Sequence, residues 1–566
     1  MLATIPPFLV YLIGAPLALL IPNGSLRSAF MCLVPVVGIL LLLDIPYGDH
    51  LTTSIVGQSV TLLRVDSLSF VFGLIFNIAA FLALVFAWHV RDAMQQVSTL
   101  LYAGSAVGAV FCGDLISLFV FWEATAITSV FLIWATRTEG SYHTGMRYLI
   151  IQVGSGVILL SGVLIQASQT GSVAFDAMKL DGLGTGLIFL AFGIKCAFPL
   201  LHNWLQDSYP AATATGTVTL SAFTTKLAVY ALARGFPGTE VLIYIGAVMT
   251  VFPIFFAAVE NNLRKVLAYS LNNQLGFMVV GIGVGTPLAL NGTAAHAFCH
   301  ILYKAVLFMS MGAVLHRTGT TKASELGGLY RSMPITMVCC VIGAASISAF
   351  PLFSGFVSKS LIQSATADTG HWIVWLVLLF ASVGVLEHSG IKIPYFTFFG
   401  HDSGIRCKEA PWNMVTAMVL TAALCVGIGV YPAPLYAILP FPVDYQPYTV
   451  AHVVTQLQML LFALLAFVFL MRKGLYPAEF RATNLDFDWI YRRALPVIIR
   501  GLGLGIDTVW SRLIGGSRAM VSASIDAASR NFGPYGIVGR TVRVGNGVAW
   551  VAVLLLVTLL VGYSAD

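Results

Sequence analysis

About sixteen apolar runs, most of them long enough to cross a lipid hydrocarbon layer, follow one another along the chain. A spanning helix needs roughly 20 apolar residues. The runs lie near residues 4–21, 28–46, 67–89, 96–112, 114–136, 146–168, 183–203, 213–234, 239–259, 265–284, 291–315, 334–363, 371–398, 412–432, 450–471 and 545–563. Inside hydrocarbon every backbone N–H and C=O must be satisfied within the protein, which points such a chain to a helical bundle. Composition agrees: 58% of the residues are apolar and 10% are charged, against about 25% charged in a soluble domain. Too little polar surface remains to coat water-soluble cores of this total length. Disorder, collagen, a secreted disulfide scaffold and a cytosolic enzyme are excluded. The expected fold is an all-α polytopic membrane protein of about 14–16 transmembrane helices.

Loop charges set its orientation. Before residue 411, one alternating set of loops carries eleven basic residues, among them Arg27, Arg91, Arg137, Arg264, Arg317 and Lys408, and the other set carries only Arg64, Lys179 and Arg234. The basic set belongs inside, which puts the N-terminus outside. The first run has no basic residue before it and reads as a retained span rather than a signal peptide. Between Arg472 and Arg543 lie eleven of the thirty basic residues and no clean span. Arg500, Asp507, Ser511 and Arg518 share one helical face there, predicting an amphipathic lateral helix along the membrane surface before the last span. The chain divides into residues 1–95 (N-terminal helices), 96–235 and 236–400 (two repeats), 401–471 (C-terminal helices), and 472–566 (lateral helix and last span). The eight cysteines are scattered without metal-ligand or disulfide spacing, so no metal and no cofactor is expected. Glycine runs at 281–285 and 501–505 lack the setting of a nucleotide-binding loop.

The informative residues are charges placed where charges are expensive. Of the ten lysines, Lys195, Lys226, Lys304 and Lys359 fall in the middle of apolar helices, and no arginine does. A buried lysine can load and unload a proton, whereas arginine stays charged. Glu123 is the matching buried carboxylate, with a lysine of another span as its expected partner; the plainer reading is a static ion pair. His296, His300 and Lys304 recur every fourth residue on one helix face, a spacing that suits a proton relay. Glu387, His388 and Lys392 form a second cluster, either an exit or cation site or a headgroup contact.

Two lysine-bearing spans read as broken. Gly193–Ile194–Lys195 precedes Phe198–Pro199, and Phe350–Pro351 precedes Ser358–Lys359. Proline removes a backbone hydrogen bond, and such breaks survive in a bilayer only where protein or a wet cavity surrounds them. Two breaks five spans apart predict an inverted repeat, spans four to eight and nine to thirteen.

These residues resemble a known family. Phe121–Trp122–Glu123, Gly193–Ile194–Lys195 with His202–Asn203–Trp204–Leu205, Leu263 through Ser270, His296 through Lys304, and Gly355 through Lys359 are similar to the proton-translocating antiporter-like subunits. That family spans the L, M and N subunits of complex I, the A-type and D-type subunits of Mrp cation/proton antiporters, and related hydrogenase subunits. The resemblance covers roughly residues 66–400. It implies a fourteen-helix core with two inverted five-helix repeats and a hydrated polar axis. Glu123 would then pair with Lys195 in one half-channel, Lys226 would bridge, and His296, His300, Lys304 and Lys359 would form the other. The stretch Asn484 through Tyr491 is similar to the one before the lateral helix of the complex I L subunit. Residues 394–400 and the chain length are closer to the D-type Mrp subunits. The chain departs from the family at Gln206–Asp207–Ser208, where Pro-Asp-Ala is usual, and at Phe350–Pro351, where Pro-Pro is frequent.

The expected function is therefore a component of a multisubunit monovalent cation (Na+)/H+ antiporter of Mrp type in a bacterial inner membrane. Its partners would be other membrane subunits, the lipid bilayer, protons, and sodium or potassium, with no nucleic acid. The alternatives are a proton-pumping component of a complex I-like or hydrogenase complex, a membrane partner of inorganic-carbon uptake, a static scaffold and a solute symporter.

Overall fold

The computed structural model describes residues 5–55, 57–476, 484, 486–541 and 543–564. Arg481 and Leu485 of the C-terminal stretch, and residue 4 of the first run, lie outside the described residues. All sixteen apolar runs are helical. The helices are α1 (Pro7–Leu20), α2 (Ser25–Asp44), α3 (Ser67–Phe86), α4 (Ala93–Phe111), α5 (Leu115–Trp134), α6 (Glu139–Thr170), α7 (Leu183–Lys195), α8 (Asn203–Ala211), α9 (Ala214–Ala222), α10 (Thr224–Gly235) and α11 (Val241–Val259). They continue as α12 (Leu263–Val284), α13 (Pro287–Thr318), α14 (Pro334–Ile347), α15 (Ser354–Asp368), α16 (Trp372–Val385), α17 (Lys392–Pro394), α18 (Trp412–Val430), α19 (Ala433–Ala437), α20 (Val450–Arg472), α21 (Leu495–Phe532) and α22 (Val544–Tyr563). Among the described residues, eleven helices are long and apolar enough to cross a membrane, and three shorter ones are apolar too. The protein is an integral, multi-pass membrane protein with helical spans.

One loop departs from the all-helical expectation. Between α2 and α3, β1 (Gly48–Ile55) pairs antiparallel with β2 (Gln58–Val65), with Gly48 opposite Val65 and Thr52 opposite Thr61. Its β-branched residues favour extended backbone, and loops distant in sequence also fasten the hairpin. The Thr61 N–H donates to Asp114 at 2.9 Å, and the Gly113 N–H donates to the Thr61 carbonyl at 2.8 Å. Arg64 pairs with Asp49 across the ladder at 2.7 Å and reaches Asp176 of another loop at 2.8 Å.

Both expected helix breaks are present, and they share one geometry. Each uses the tetrapeptide Ala-Phe-Pro-Leu: Ala197–Leu200 after α7 and Ala349–Leu352 after α14. In each, the alanine and the leucine take positive φ, +61° and +70° in the first and +56° and +74° in the second. The hydrogen bonds also repeat. Phe198 N–H donates to Gly193 at 3.0 Å and Phe350 N–H to Ala345 at 3.0 Å; Ala197 N–H donates to Ile194 at 3.1 Å and Ala349 N–H to Ser346 at 3.1 Å. Positive φ in non-glycine residues costs of order 1–3 kcal/mol each and persists where the surroundings enforce it. Single antiparallel bridges lie at matching places as well, Asp114 with Ala174 and Asn262 with Lys322. Asp114 and Asn262 cap the following helices α5 and α12 through their side chains.

A third break carries neither proline nor glycine. Phe223, at φ −107° and ψ −68°, separates α9 from α10. Beyond α16 the helix widens into π-type turns over Leu386–Ile391 and Tyr395–Phe399 on either side of α17. Residues 487–566 form a separate unit, in which α21 runs for 38 residues with no buried side chain and α22 for 20.

Candidate functional site: a buried polar axis

Lys195 closes α7, where the break begins, and its side chain is fully buried. Its ammonium donates to the Trp122 carbonyl at 2.5 Å and to Thr125 Oγ1 at 3.0 Å, and lies 4.5 Å from the Trp122 ring centre. Glu123 follows Trp122 on α5 and interacts electrostatically with Lys195, but the two form no ion pair. The glutamate instead leans over α6, where a Cβ built on Gly156 would fall 1.4 Å from its Oε1. That buried oxygen accepts no hydrogen bond. A carboxylate in this position acts on Lys195 through space.

Helix breaks also supply the oxygens that hold the other lysines. Lys226, three residues beyond the break at Phe223, donates to the Ser221 carbonyl at 2.5 Å. Lys359, on α15, donates across the second break to the Ile347 carbonyl at 2.7 Å, with the Phe277 ring centre at 5.0 Å. A carbonyl freed from its helix is an orphan acceptor, and an ammonium satisfies it without a counter-charge. The two proline breaks match in backbone but not in lysine placement: Lys195 precedes its break and Lys359 follows its own.

The histidine face of α13 joins these groups. His296 Nδ1 lies 3.0 Å from Ser358 Oγ, next to Lys359, and its Nε2 lies 3.3 Å from the Tyr303 hydroxyl. Tyr303 donates to Gln274 Oε1 at 3.1 Å. His300 sits within electrostatic reach of Lys226, Lys304, His296 and Lys359. Both of its ring nitrogens and the Lys304 ammonium lack hydrogen-bond partners. Buried polar atoms of this kind are the ones ordered water ordinarily satisfies.

The second cluster divides by role. Lys392 is buried and donates to the carbonyls of Ala258 at 2.7 Å and Glu260 at 2.9 Å, capping the end of α11. Glu387 accepts from the Tyr476 hydroxyl at 2.5 Å. His388 is buried, bonds Ser389 Oγ at 2.9 Å through Nδ1, and lies in electrostatic reach of Lys304 and Lys392. The structure thus brings Lys226, His296, His300, Lys304, Lys359 and His388 together, with Glu123 and Lys195 adjoining through Cys196, which interacts with Lys226.

Several polar partners escape a reading by charge alone: Thr125, Gln274, Tyr303 and Ser358. Each is an ordinary polar residue in an apolar run, and the only signal was its spacing from a lysine or histidine. Arg264 is another. Its buried guanidinium donates to the carbonyls of Tyr209, Pro210, Ala212 and Thr213 at 2.8–3.3 Å and to Thr217 Oγ1, binding the turn between α8 and α9.

Comparison with known proteins bears on what such an axis does. The family profile described as NADH:quinone oxidoreductase/Mrp antiporter, transmembrane, matches residues 112–384. The D subunit of the Na(+)/H(+) antiporter of Alkalihalophilus pseudofirmus is 31% identical over 352 residues, covering 58% of this chain and 71% of that one. The A/B subunit of the probable K(+)/H(+) antiporter of Rhizobium meliloti is 29% identical over 404 residues, covering 66% of this chain and 40% of that one. The chain therefore spans well under half the length of that relative. Among solved structures, a chain of the Mrp complex from Dietzia sp. has the same fold, with a TM-score of 0.67 at 21% identity over 76% of this chain and 94% of that one.

Proposed function

This chain belongs to the NADH:quinone oxidoreductase/Mrp antiporter family of membrane subunits, and from that premise we propose that it translocates protons within a multisubunit monovalent cation/proton antiporter of Mrp type. One observation carries the reading. Lys195, Lys226, Lys304 and Lys359 are all buried, and none of the four is in an ion pair among the described residues. A static scaffold would pair its buried ammonium groups with carboxylates, because an uncompensated buried charge costs several kcal/mol. Groups held only by carbonyls, a hydroxyl or an aromatic face can be discharged and recharged as a proton passes.

In this reading Lys195 is the proton site of the first half, tuned by Glu123, and Lys359 is the terminal site of the second. Lys226, His296, His300 and Lys304 connect them. The twin Ala-Phe-Pro-Leu breaks and twin β-bridges support two repeats of five spans. The basic loops support an N-terminus outside a bacterial cytoplasmic membrane. By length, α21 would extend about 57 Å at 1.5 Å per residue, far beyond the roughly 30 Å hydrocarbon layer. That supports a helix lying along the surface and bracing a neighbouring membrane protein of the complex. Sodium as the exchanged cation is favoured by the D-type relative over the potassium of the A/B-type relative.

The test is proton-coupled exchange in membrane vesicles carrying the native complex. Lys195→Ala and Glu123→Ala should each abolish exchange while the complex still assembles. Normal exchange in either variant would overturn the assigned roles.

A further inference from the structure

The C-terminal stretch before α21 contributes a carboxylate to the core that the transport reading leaves unused. Asp486 lies 284 residues beyond His202 in sequence, and its side chain is 1% exposed. His202 Nε2 stands 3.3 Å from its Oδ2, the Tyr269 hydroxyl donates to the same oxygen at 2.7 Å, and the Asn203 amide donates to Oδ1. Asn484 is fastened to the core as well. Lys265, paired with Glu260 at 3.3 Å, donates to the Asn484 carbonyl at 3.1 Å, and Asn484 Nδ2 donates to the Val259 carbonyl at 3.1 Å. Among the described residues, the charged or titratable groups at this corner include His202, Tyr269, Lys265, Glu260 and, capping α11, Lys392.

Two features make this more than an anchor. His202 and Asn203 belong to the segment where the Lys195 span breaks. That segment folds back on α7, since Trp204 Nε1 donates to the Ile194 carbonyl at 2.9 Å, one residue from Lys195. Tyr269 opens a polar face of α12, whose buried Asn273 and Gln274 bond each other. Gln274 accepts from Tyr303, which meets His296. One carboxylate therefore touches the two helices that lead to the two halves of the axis. An anchor would need hydrogen bonds only; a titratable acid beside an imidazole also supplies a place for a proton to land and leave.

We propose that Asp486 is a proton-loading carboxylate of this axis, with His202 as its immediate proton partner. The carboxylate takes a proton from the aqueous phase, passes it to the imidazole nitrogen 3.3 Å away, and returns to its anionic form. Only O–H and N–H bonds form and break. The inference rests on the transport reading above.

The experiment uses the native complex in membrane vesicles and reads proton-coupled exchange together with assembly. Asp486→Asn preserves shape and hydrogen bonding but cannot titrate, and should lower exchange about tenfold or more, the scale of a lost proton-transfer group. Asp486→Glu should restore most of it. Asn203→Ala removes a hydrogen bond but no proton carrier and should leave exchange within about threefold of wild type, a loss of order 0.6 kcal/mol. Undiminished exchange in Asp486→Asn overturns the proposal. So does an Asn203→Ala loss equal to that of Asp486→Asn without rescue by glutamate, which marks a structural latch. Should Asp486→Asn fail to assemble, His202→Gln decides: lost exchange in an assembled complex supports the relay and normal exchange overturns it. Lys195→Ala in the same vesicles separates the two readings. If exchange survives Lys195→Ala, the transport roles fail; if it is lost there but survives Asp486→Asn, only this inference fails.

Discussion

Gly156→Ala is expected to alter transport without harming the fold. The added methyl would sit 1.4 Å from Glu123 Oε1, and contacts under 3.0 Å are not tolerated. The carboxylate must therefore withdraw by at least the difference, 3.0 − 1.4 = 1.6 Å. The obstacle is the tip of a flexible side chain, so α6 need not move, and alanine within a helix is favoured over glycine by about 0.5–1 kcal/mol. The electrostatic consequence is larger in effect than in energy. At an effective dielectric of about 20 and a generic ion separation of roughly 5 Å, a displacement on this scale changes a carboxylate–ammonium interaction by close to 1 kcal/mol, about a four- to fivefold factor, with the sign set by whether the carboxylate moves toward or away from the ammonium. Exchange in vesicles should change by up to about that factor while the thermal aggregation midpoint of the purified complex stays level or rises. Unchanged exchange would refute the role of the Glu123 seat. A marked loss of stability would show that Glu123 cannot yield and that its seat is structural.

Arg264→Ala should cost about 3 kcal/mol, because it strips the donors from a buried turn of carbonyls; Arg264→Lys should recover only part, since an ammonium cannot reproduce the planar fork of donors. Thermal aggregation in detergent measures both, and an Arg264→Ala protein as stable as wild type would contradict the bracing role. His89 lies beyond the end of α3, and burial, with His316 and Arg91 nearby, pushes its pKa down from 6.5 to about 4. The folded state therefore holds the neutral ring, so this contribution is complete above pH 6.5 and is lost as pH falls toward 4. The ring is partly solvated, which limits the effect to the order of 1 kcal/mol. His89→Gln should flatten that acid limb of a stability–pH curve; an unaltered limb would exclude His89 as its source.

Much of the fold was legible because hydropathy is a local quantity: each apolar run of sufficient length carries its own reason to be a helix in lipid. The two proline breaks were legible for the same reason, as were the four lysines. The break at Phe223 was not, because no proline or glycine marks it; Lys226 holding the Ser221 carbonyl is what reveals it. The hairpin of residues 48–65 was equally silent, since Thr61 and Arg64 are fixed by Asp114 and Asp176 from other loops. Glu123 was expected to pair with Lys195, and the side chain turns instead onto Gly156, a neighbour no pattern along α5 could name.

From the amino acids alone came the class, the number of apolar runs, the broken spans and the set of ionisable groups left in apolar surroundings. Those follow from transfer free energies that act residue by residue. Tertiary structure decided which of these groups meet. Lys359 turns to the end of α14, Lys392 caps α11, and Asp486 reaches His202 across almost three hundred residues. Contacts of that kind depend on how helices pack against one another, and packing is a property of pairs of distant surfaces that no single stretch of sequence encodes.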